Sequence, residues 1–323
     1  MSSLTVHSRA KLNLTFEILG LLPGGYHEIR TIFQSINLSD KLLFELVETE
    51  TGSEFQIVLR HAGAHDSQSG CRQNGGADTF PLGADNLIVR AAKRYATLAN
   101  CGAGRKLVVS VEKNIPIAAG LAGGSSNAAA TLYAMQYLFE SAVDAHAVAA
   151  ELGSDINFCL EGGTQVGMNR GEQLKAVPFD NTLHFVLLKP RNISISTPWI
   201  YKEYDKTELT GEKQDGINYT DVCLQALKLG NPKEISLTLH NAFEPVCFAH
   251  HRAVRELREA MRNAGCLSAL ITGSGPTLFG LVESANDAER ICQTLAKDPI
   301  RNSQEHIFDC WAVSSAKSGL SRE

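Results

Sequence analysis

Residues 116–126 have the sequence PIAAGLAGGSS, in which three glycines and two serines stand directly before a helical pattern. Ala128, Leu132, Met135 and Phe139 form that pattern, at roughly 3.6-residue spacing. Glycines allow the backbone to approach a ligand closely, and the first N–H groups of a helix lack partners within it. Because these N–H groups carry partial positive charge, the segment is typical of a loop that binds a polyphosphate.

Two other phosphate-binding motifs do not match this segment. A Walker A loop ends in Gly-Lys followed by Ser or Thr, whereas no lysine follows Gly124. The dinucleotide-binding pattern G-x-G-x-x-G does not match either. On glycine content alone, a turn that merely packs a helix against a sheet remains an alternative.

The sequence before the loop predicts an antiparallel sheet and one helix. A half-buried first strand is indicated by apolar residues that alternate with polar ones, namely Leu12, Leu14, Phe16 and Ile18. Further strands are predicted at 42–47, 55–59 and 106–112. Asn86 is the expected N-cap of a helix that starts at Leu87. Residues 61–85 are rich in small and polar residues, so we expect a mobile surface excursion without a catalytic role.

The sequence after residue 178 changes to a different order of elements. Strands are predicted at 183–189, 268–272, 277–282 and 307–313, with helical stretches within 221–264 and at 287–297. This β-α-β-β-α-β order is typical of a ferredoxin-like unit. We therefore predict an α+β protein with two domains, residues 1–178 and 179–323.

Composition favours a cytoplasmic protein with a small-molecule partner. The net charge is −5 and no long basic run occurs, which argues against a nucleic-acid surface. No secretory signal is recognised, and no apolar run reaches the roughly 18 residues of a membrane span. The eight cysteines include no C-x-x-C pair, so we expect reduced thiols rather than a zinc site.

The glycine loop resembles the signature of the GHMP kinases, a superfamily of small-molecule kinases. Other segments narrow the resemblance to the family that acts on 4-diphosphocytidyl-2-C-methyl-D-erythritol, in the non-mevalonate route to isoprenoid precursors. They occur in order along nearly the whole chain: AKLNL at 10–14, GGYHE at 24–28, TIFQS at 31–35, LGSDI at 152–156, GGT at 162–164, RGE at 170–172, STPWIY at 196–201 and TGSG at 272–275. This resemblance implies a GHMP kinase fold, whose N-terminal domain is like domain 2 of ribosomal protein S5.

The resemblance also implies a reaction and a catalytic pair. ATP would phosphorylate the 2-hydroxyl of the methylerythritol moiety, with Asp155 as the base and Lys11 stabilising the transferring phosphoryl group. An alcohol needs a group that accepts its proton, and the phosphoryl charge needs a fixed cation. A solvent-screened Lys–Asp surface pair is the alternative interpretation. However, Lys11 lies in an apolar strand and Asp155 in an apolar segment, where unpaired charges are costly.

The resemblance further implies residues that bind the substrate. Tyr26 and Tyr201 would enclose the cytosine ring, His27 would recognise the base edge, and Asn13 would lie near the substrate beside Lys11. These aromatic residues could instead be edges of the core. The second glycine turn, with Gly273 and Ser274, would close over the phosphates or substrate, although a plain hairpin turn is the alternative.

ATP, accompanied by Mg²⁺, is the expected cofactor. The loop residues expected to bind it are Pro116, Ile117, Ala118, Ala119, Gly120, Leu121, Ala122, Gly123, Gly124, Ser125 and Ser126. The metal ligand is open: Ser126 is a candidate by resemblance, but a serine that caps the helix would look the same. Two residues depart from the family pattern, Ala122 in place of glycine and Pro276, which removes a backbone donor.

Two other functions remain alternatives at this point. A homoserine or mevalonate-type kinase would keep the phosphate loop but would need a cation for the substrate carboxylate. A non-enzymatic nucleotide- or RNA-binding module is disfavoured by the acidic balance of the chain. A monomer and a homodimer are both compatible with the sequence.

Overall fold

The structure is a computed structural model that describes residues 2–62, 80–208, 217–298, 300 and 306–323. The central part of the predicted surface excursion, residues 63–79, lies outside the described residues, and Cys71 with it. At the borders of that segment, His61 ends a strand and Asn86 caps a helix.

The first sheet is built around two long antiparallel strands, β1 (Ser2–Leu21) and β2 (His27–Glu48). The second half of β2 pairs with β4 (Arg105–Glu112), which pairs in parallel with β3 (Gln56–His61). The first half of β2 pairs with β5 (Thr164–Asn169), followed by β6 (Gln173–Ala176). The predicted antiparallel start of the protein is therefore confirmed.

Four helices cover one face of this sheet, and α2 follows the glycine loop as predicted. They are α1 (Leu87–Ala99), α2 (Gly123–Phe139), α3 (Ala145–Leu152) and α4 (Ser154–Glu161). The Asn86 side chain accepts a hydrogen bond of 2.9 Å from the Ile88 N–H, which confirms it as the N-cap of α1. Large apolar side chains from α1, α2 and β2 pack into one core, including Tyr95, Leu132 and Phe44.

The second sheet has four antiparallel strands in the order β11-β7-β10-β9. They are β7 (His184–Pro190), β9 (Ser268–Ile271), β10 (Leu278–Val282) and β11 (Phe308–Ser314). The helices of this part are α5 (Thr197–Glu208), α6 (Tyr219–Leu229), α7 (Pro232–Ser236), α8 (Glu244–His250), α9 (Arg252–Asn263) and α10 (Ala285–Lys297). The predicted ferredoxin-like unit is confirmed by the element order and by the strand order.

The chain returns to the first sheet twice. The short strand β8 (His240–Asn241) pairs in parallel with β1 at Thr15 and Phe16. The strand β12 (Leu320–Arg322) pairs antiparallel with β1 at residues 6–8. The division at residues 178 and 179 stays a prediction, with these two strands as connections across it.

The first strand differs from the half-buried strand that the sequence predicts. Residues 10–18 are all buried, so both faces of β1 are covered. The polar face contacts the second part of the chain: Thr15 Oγ1 lies 3.1 Å from Thr220 Oγ1, and the Glu17 carboxylate accepts from the Thr220 N–H at 3.0 Å. Polar alternation here marks a buried polar junction and not a solvent-facing surface.

Within the described part of the chain, no helix combines the length and the apolar character that a membrane span requires.

Candidate active site

The glycine loop leads into the start of α2, where the first N–H groups of the helix have no hydrogen-bond partner within it. The helix begins at Gly123, so the last four residues of the 116–126 segment, which the sequence placed before the helical pattern, already belong to it. Ala122 is the N-cap, in a left-handed conformation with φ 57°, and it makes no side-chain capping bond. The N–H groups of Gly123, Gly124 and Ser125 therefore have no partner four residues back within the helix, which is the arrangement that binds anions.

Ser126 has a structural role at the base of this loop. Its hydroxyl donates to the Arg9 carbonyl at 2.7 Å, and its N–H donates to the Ala122 carbonyl at 2.9 Å. The side chain is fully buried. Ser126 is thus neither the N-cap nor a free hydroxyl that faces a ligand, and it fastens α2 to β1.

The two glycine turns touch each other. A Cβ atom on Gly120, where φ is 73°, would lie 2.6 Å from the Thr272 carbonyl oxygen and 3.1 Å from that of Gly275. Only glycine allows this approach, because real Cβ atoms are not found so close to backbone atoms. The glycine loop and the turn at 272–275 therefore form one continuous wall of the candidate site.

The predicted catalytic pair is brought together beside that wall. Lys11 Nζ lies 3.6 Å from Asp155 Oδ2 and 2.7 Å from Asn13 Oδ1. The Lys11 side chain is 6% exposed, whereas that of Asp155 is 31% exposed. The ammonium is also 3.6 Å from the position that a Cβ on Gly273 would take. A buried cation thus stands between the carboxylate and the second glycine turn.

Irregular pairing of β1 with β2 sets the direction of the Lys11 and Asn13 side chains. The register shifts between Arg9 and Lys11, and again between Asn13 and Thr15. Such bulges redirect side chains from a strand, and they are common beside active sites. Asn13 is then held from both ends: its N–H donates to Thr272 Oγ1 at 3.1 Å, and its side-chain amide donates to Thr31 Oγ1 at 2.8 Å.

Asp155 occupies the first turn of α4, where its charge acts on two neighbours. Burial raises the pKa of the Tyr201 hydroxyl, and the Asp155 carboxylate raises it further. Burial also raises the pKa of the Cys159 thiol, with a smaller upward contribution from Asp155 and a downward one from Lys11. Both groups are therefore neutral near pH 7.

The C-terminal segment fixes the far end of α4. The Gly319 N–H donates to the Glu161 carbonyl at 2.9 Å, and the Arg9 N–H donates to the Gly319 carbonyl at 2.9 Å. A Cβ on Gly319 would lie 2.0 Å from the Cys159 carbonyl oxygen, so only glycine fits there. This contact links the helix that carries Asp155 to the strand that carries Lys11.

An aromatic group is formed around Tyr201, whose hydroxyl is close enough to Asp155 for the carboxylate to raise its pKa. The ring of His27 stacks on that of Tyr201, with centroids 4.5 Å apart and an interplanar angle of 28°. His27 Nε2 lies 2.7 Å from Asp205 Oδ1. Tyr26 is 60% exposed, with the Arg170 guanidinium 5.1 Å from its ring centroid. The ring stacked on Tyr201 is thus His27, while Tyr26 stands more openly beside Arg170.

The helix that carries Tyr201 is attached to the second glycine turn. Thr197 Oγ1, in the first turn of α5, lies 3.0 Å from Ser274 Oγ. The turn itself is held by the buried Asn241, whose side-chain amide donates to the carbonyls of Ile271 and Gly273, both at 2.9 Å. A movement of this turn would therefore be transmitted to both α5 and β8.

Sequence reasoning missed a second anchoring group, at the entrance of the glycine loop. The fully buried Asp40 accepts from the N–H groups of Asn114 and Ile115, each at 2.8 Å, and pairs with Lys113 Nζ at 2.8 Å. Lys113 Nζ is 3.2 Å from the position of a Cβ on Gly123. The only sequence signal was an aspartate just before a predicted apolar strand, which does not identify partners more than 70 residues away.

Comparison with known proteins identifies the family. The model of the GHMP kinases N terminal domain matches residues 86–169, and the GHMP kinases C terminal model matches residues 223–300. A 4-diphosphocytidyl-2-C-methyl-D-erythritol kinase from a Synechococcus species is 33% identical over 327 residues, covering 99% of this chain and 96% of the relative. The chain belongs to this kinase family.

Other relatives and solved structures agree with this membership. The kinase of the same name from Caldanaerobacter subterraneus is 36% identical and covers 89% of this chain and 90% of the relative. A crystal structure of 4-(cytidine 5'-diphospho)-2C-methyl-D-erythritol kinase superposes with a TM-score of 0.75 at 27% identity, covering 97% of this chain and 99% of that one. A mevalonate kinase from L. major, 16% identical with a TM-score of 0.71 over 97% and 95% of the two chains, shares the fold.

Membership in this family confirms several predictions made from the sequence. The GHMP kinase fold and the α+β class are correct, and the chain is a small-molecule kinase. The roles of individual residues stay predictions. Across the residues that the structure describes, no three His, Cys, Asp or Glu side chains are grouped to hold a metal ion.

Proposed function

We propose that this kinase transfers the γ-phosphoryl group of ATP to the 2-hydroxyl of 4-diphosphocytidyl-2-C-methyl-D-erythritol, an intermediate of isoprenoid precursor synthesis. The observation that carries the proposal is the Lys11–Asp155 pair, 3.6 Å apart, with Lys11 in contact with the glycine loop through the Leu121 carbonyl and next to the second glycine turn at Gly273. The names of the relatives support the choice of substrate.

Asp155 is the proposed base. Its carboxylate is partly exposed and so is accessible to an alcohol, while Lys11 holds one of its oxygens. Asp155 lies in the first turn of α4, so the helix backbone fixes the position of its carboxylate. The 2-hydroxyl would transfer its proton to Asp155 as the oxygen attacks phosphorus.

Lys11 is the proposed fixed cation. Its ammonium is buried and held by Asn13, so little reorganisation is needed when negative charge develops on the transferring group. It also holds the Asp155 carboxylate in place. The same side chain thereby serves both the base and the phosphoryl group.

ATP fits the start of α2. A Cβ on Gly124 would have no neighbour closer than 3.8 Å, so the backbone there is open to a ligand, and the N–H groups of residues 123–125 lack partners within the helix. Mg²⁺, when bound with the nucleotide, supplies charge that offsets the phosphate oxygens. Ser125, in the first turn of α2, is the candidate contact for that ion, whereas the Ser126 hydroxyl is engaged with Arg9.

The cytidine end is assigned to the aromatic group. Tyr26 and the face of Tyr201 that His27 does not cover would stack on the base, and His27, held at Nε2 by Asp205, would offer Nδ1 to the base edge. Asn13 would lie against the methylerythritol moiety beside Lys11. Gly273 and Ser274 would cover the reacting groups and exclude water. We further propose a cytoplasmic enzyme, monomeric or homodimeric, whose partner is this small molecule and not a nucleic acid or a membrane.

The deciding experiment measures ADP release by the purified kinase with 4-diphosphocytidyl-2-C-methyl-D-erythritol, homoserine and mevalonate in parallel. Turnover restricted to the cytidine compound is expected, because the aromatic group recognises the base. Faster turnover of homoserine or mevalonate would overturn the assigned substrate. RNA binding that persists in a salt titration without any ADP release would overturn the enzymatic assignment itself.

A further inference from the structure

Two cysteine thiols face each other in the C-terminal part, outside the proposed kinase site. Cys292 lies on α10 and Cys310 lies on β11, and their Sγ atoms are 3.0 Å apart, with the Cys310 thiol donating to Cys292. Both residues are partly exposed. The contact joins a helix to the edge strand on which that helix packs.

The contact with Cys310 favours ionisation of the Cys292 thiol. The hydrogen bond from Cys310 lowers the pKa of the Cys292 thiol, against the opposing effects of burial and of Glu289. Nearby Cys266 is buried against Gly280, and burial raises the pKa of its thiol to about 12. The thiolate is the nucleophilic form, so Cys292 reacts first and Cys266 stays inert.

We propose that Cys292 and Cys310 are an oxidation site that forms an intramolecular disulfide with small-molecule disulfides such as glutathione disulfide. The Cys292 thiolate attacks one glutathione sulfur, and the other glutathione leaves as a thiolate with the electron pair of the broken S–S bond. Cys310 loses its proton and attacks Cys292 Sγ, which releases the second glutathione. Two protein thiols are oxidised, one glutathione disulfide is reduced, and the two protons pass to the released glutathiones.

The proximity of the two sulfurs decides the outcome of the first attack. A mixed disulfide at Cys292 places its sulfur next to Cys310, so the second step is intramolecular and faster than attack by free glutathione. The product closes a loop between positions 18 residues apart and ties α10 to β11. A closed loop restricts the unfolded chain, and the oxidised protein is therefore expected to unfold at a higher temperature.

The test treats the full-length kinase with glutathione disulfide, quenches it in acid, and alkylates the remaining thiols under denaturing conditions. Mass spectrometry is expected to find two fewer alkylated thiols than the eight cysteines, no bound glutathione, and a peptide crosslink between Cys292 and Cys310. Full alkylation, persistent glutathione on the wild type, or a crosslink to another cysteine would overturn the proposal.

Single variants identify the role of each sulfur. In Cys310→Ser, glutathione is expected to stay on Cys292, because the resolving thiol is missing. In Cys292→Ser, neither the crosslink nor the rise in unfolding temperature is expected. Cys101→Ser, which changes another partly exposed cysteine, is the matched control and should oxidise like the wild type. A crosslink that survives in Cys310→Ser, or no glutathione trapped there, would contradict the assigned roles.

Discussion

The ammonium of Lys11 and the carboxylate of Asp155 face each other at 3.6 Å, but only the carboxylate has substantial contact with solvent. Lys11 is held in a strand and Asp155 in the first turn of a helix, so the main chain fixes both. An exposed pair of this length would contribute little to stability. Its half-buried position is consistent with the proposed roles, in which an alcohol must reach Asp155 and Lys11 must stay in place.

The variant Asp155→Asn is expected to lower kcat by about 10²–10⁴-fold, because the amide cannot accept the proton of the alcohol. Binding of a non-hydrolysable ATP analogue, measured by calorimetry, should stay near the wild-type value. The matched control is Glu151→Gln, which changes an exposed carboxylate paired with Arg94. Wild-type turnover by Asp155→Asn would remove this residue from the mechanism.

The variant Lys11→Met should also reduce kcat, by about 10²–10³-fold, because the transferring phosphoryl group loses its fixed cation. Lys11→Arg is not expected to restore the rate, since the site is 5% exposed and has no room for the larger guanidinium. Steady-state kinetics with both variants provides the measurement. Full activity in Lys11→Arg would show that any cation suffices and that the packing is unimportant.

Asp40 should affect nucleotide binding indirectly, by anchoring the entrance of the glycine loop. Asp40→Asn removes the charge that holds Lys113 and weakens the bonds to the Asn114 and Ile115 amides. Loss of one partner of a buried ion pair costs about 3–5 kcal/mol of unfolding free energy. We expect KM for ATP to rise more than kcat falls, because the glycine loop loses its anchor. An unchanged KM for ATP in a folded variant would argue against this positioning role.

Ala122 carries a backbone conformation that suits glycine. A residue with a side chain in the left-handed conformation lowers the free energy of unfolding by about 1–2 kcal/mol. Replacing alanine by glycine has its own cost of about 0.4–1 kcal/mol, because glycine gives the unfolded chain more conformational entropy. Ala122→Gly should therefore stabilise the protein by about 0.5–1 kcal/mol in urea unfolding. The control is Gln136→Gly, at an exposed position within α2, which should destabilise by a similar amount. If Ala122→Gly were less stable than the wild type, the claim that Ala122 is strained in its left-handed conformation would be wrong.

The partly buried carboxyl of Glu244 is expected to make the free energy of unfolding depend on pH. Burial raises the pKa of this carboxyl to about 7, and the nearby Arg258 and Arg262 only partly oppose that rise. Its folded pKa is above its unfolded value, so the folded state holds the proton more tightly. The associated stability is present at pH below about 4.5 and is lost as pH rises through about 7.

The contribution of Glu244 to this pH dependence can be measured by comparing the wild type with a variant that carries a neutral isostere. Urea unfolding at pH 5 and pH 8 should show the wild type losing up to about 3 kcal/mol at the higher pH from this group. Glu244→Gln keeps an oxygen for the Ile271 N–H and should reduce that loss. Equal pH dependence in both proteins would mean that Glu244 titrates normally.

Periodicity in the sequence was sufficient for most of the fold. The strands at the C-terminal half and the helices after Asn86 and the glycine loop follow from spacing and capping alone, because each is decided within a few residues. The glycine loop itself was recognised from composition. Its capping was not, since a non-glycine residue at the left-handed position of Ala122 is disfavoured and cannot be expected from local preference.

The geometry of the candidate site could not be predicted from any short segment of sequence, because it depends on contacts between distant parts of the chain. The polar face of β1 looked solvent-exposed because its partners, such as Thr220 and Thr272, come from the other end of the chain. The register shifts around Lys11 depend on how β2 pairs and leave no pattern in β1. Resemblance located Lys11 and Asp155, but the partner of the Tyr201 ring and the anchor at Asp40 appeared only in three dimensions.

The pairing of β12 with β1 has a consequence for biosynthesis. Residues 320–322 complete the edge of a sheet whose first strand leaves the ribosome more than 300 residues earlier. Until those residues have been synthesised, the edge of β1 that β12 covers stays unpaired. An unpaired strand edge can pair with other chains, so the growing polypeptide exposes an aggregation-prone edge that pairing with β12 later removes.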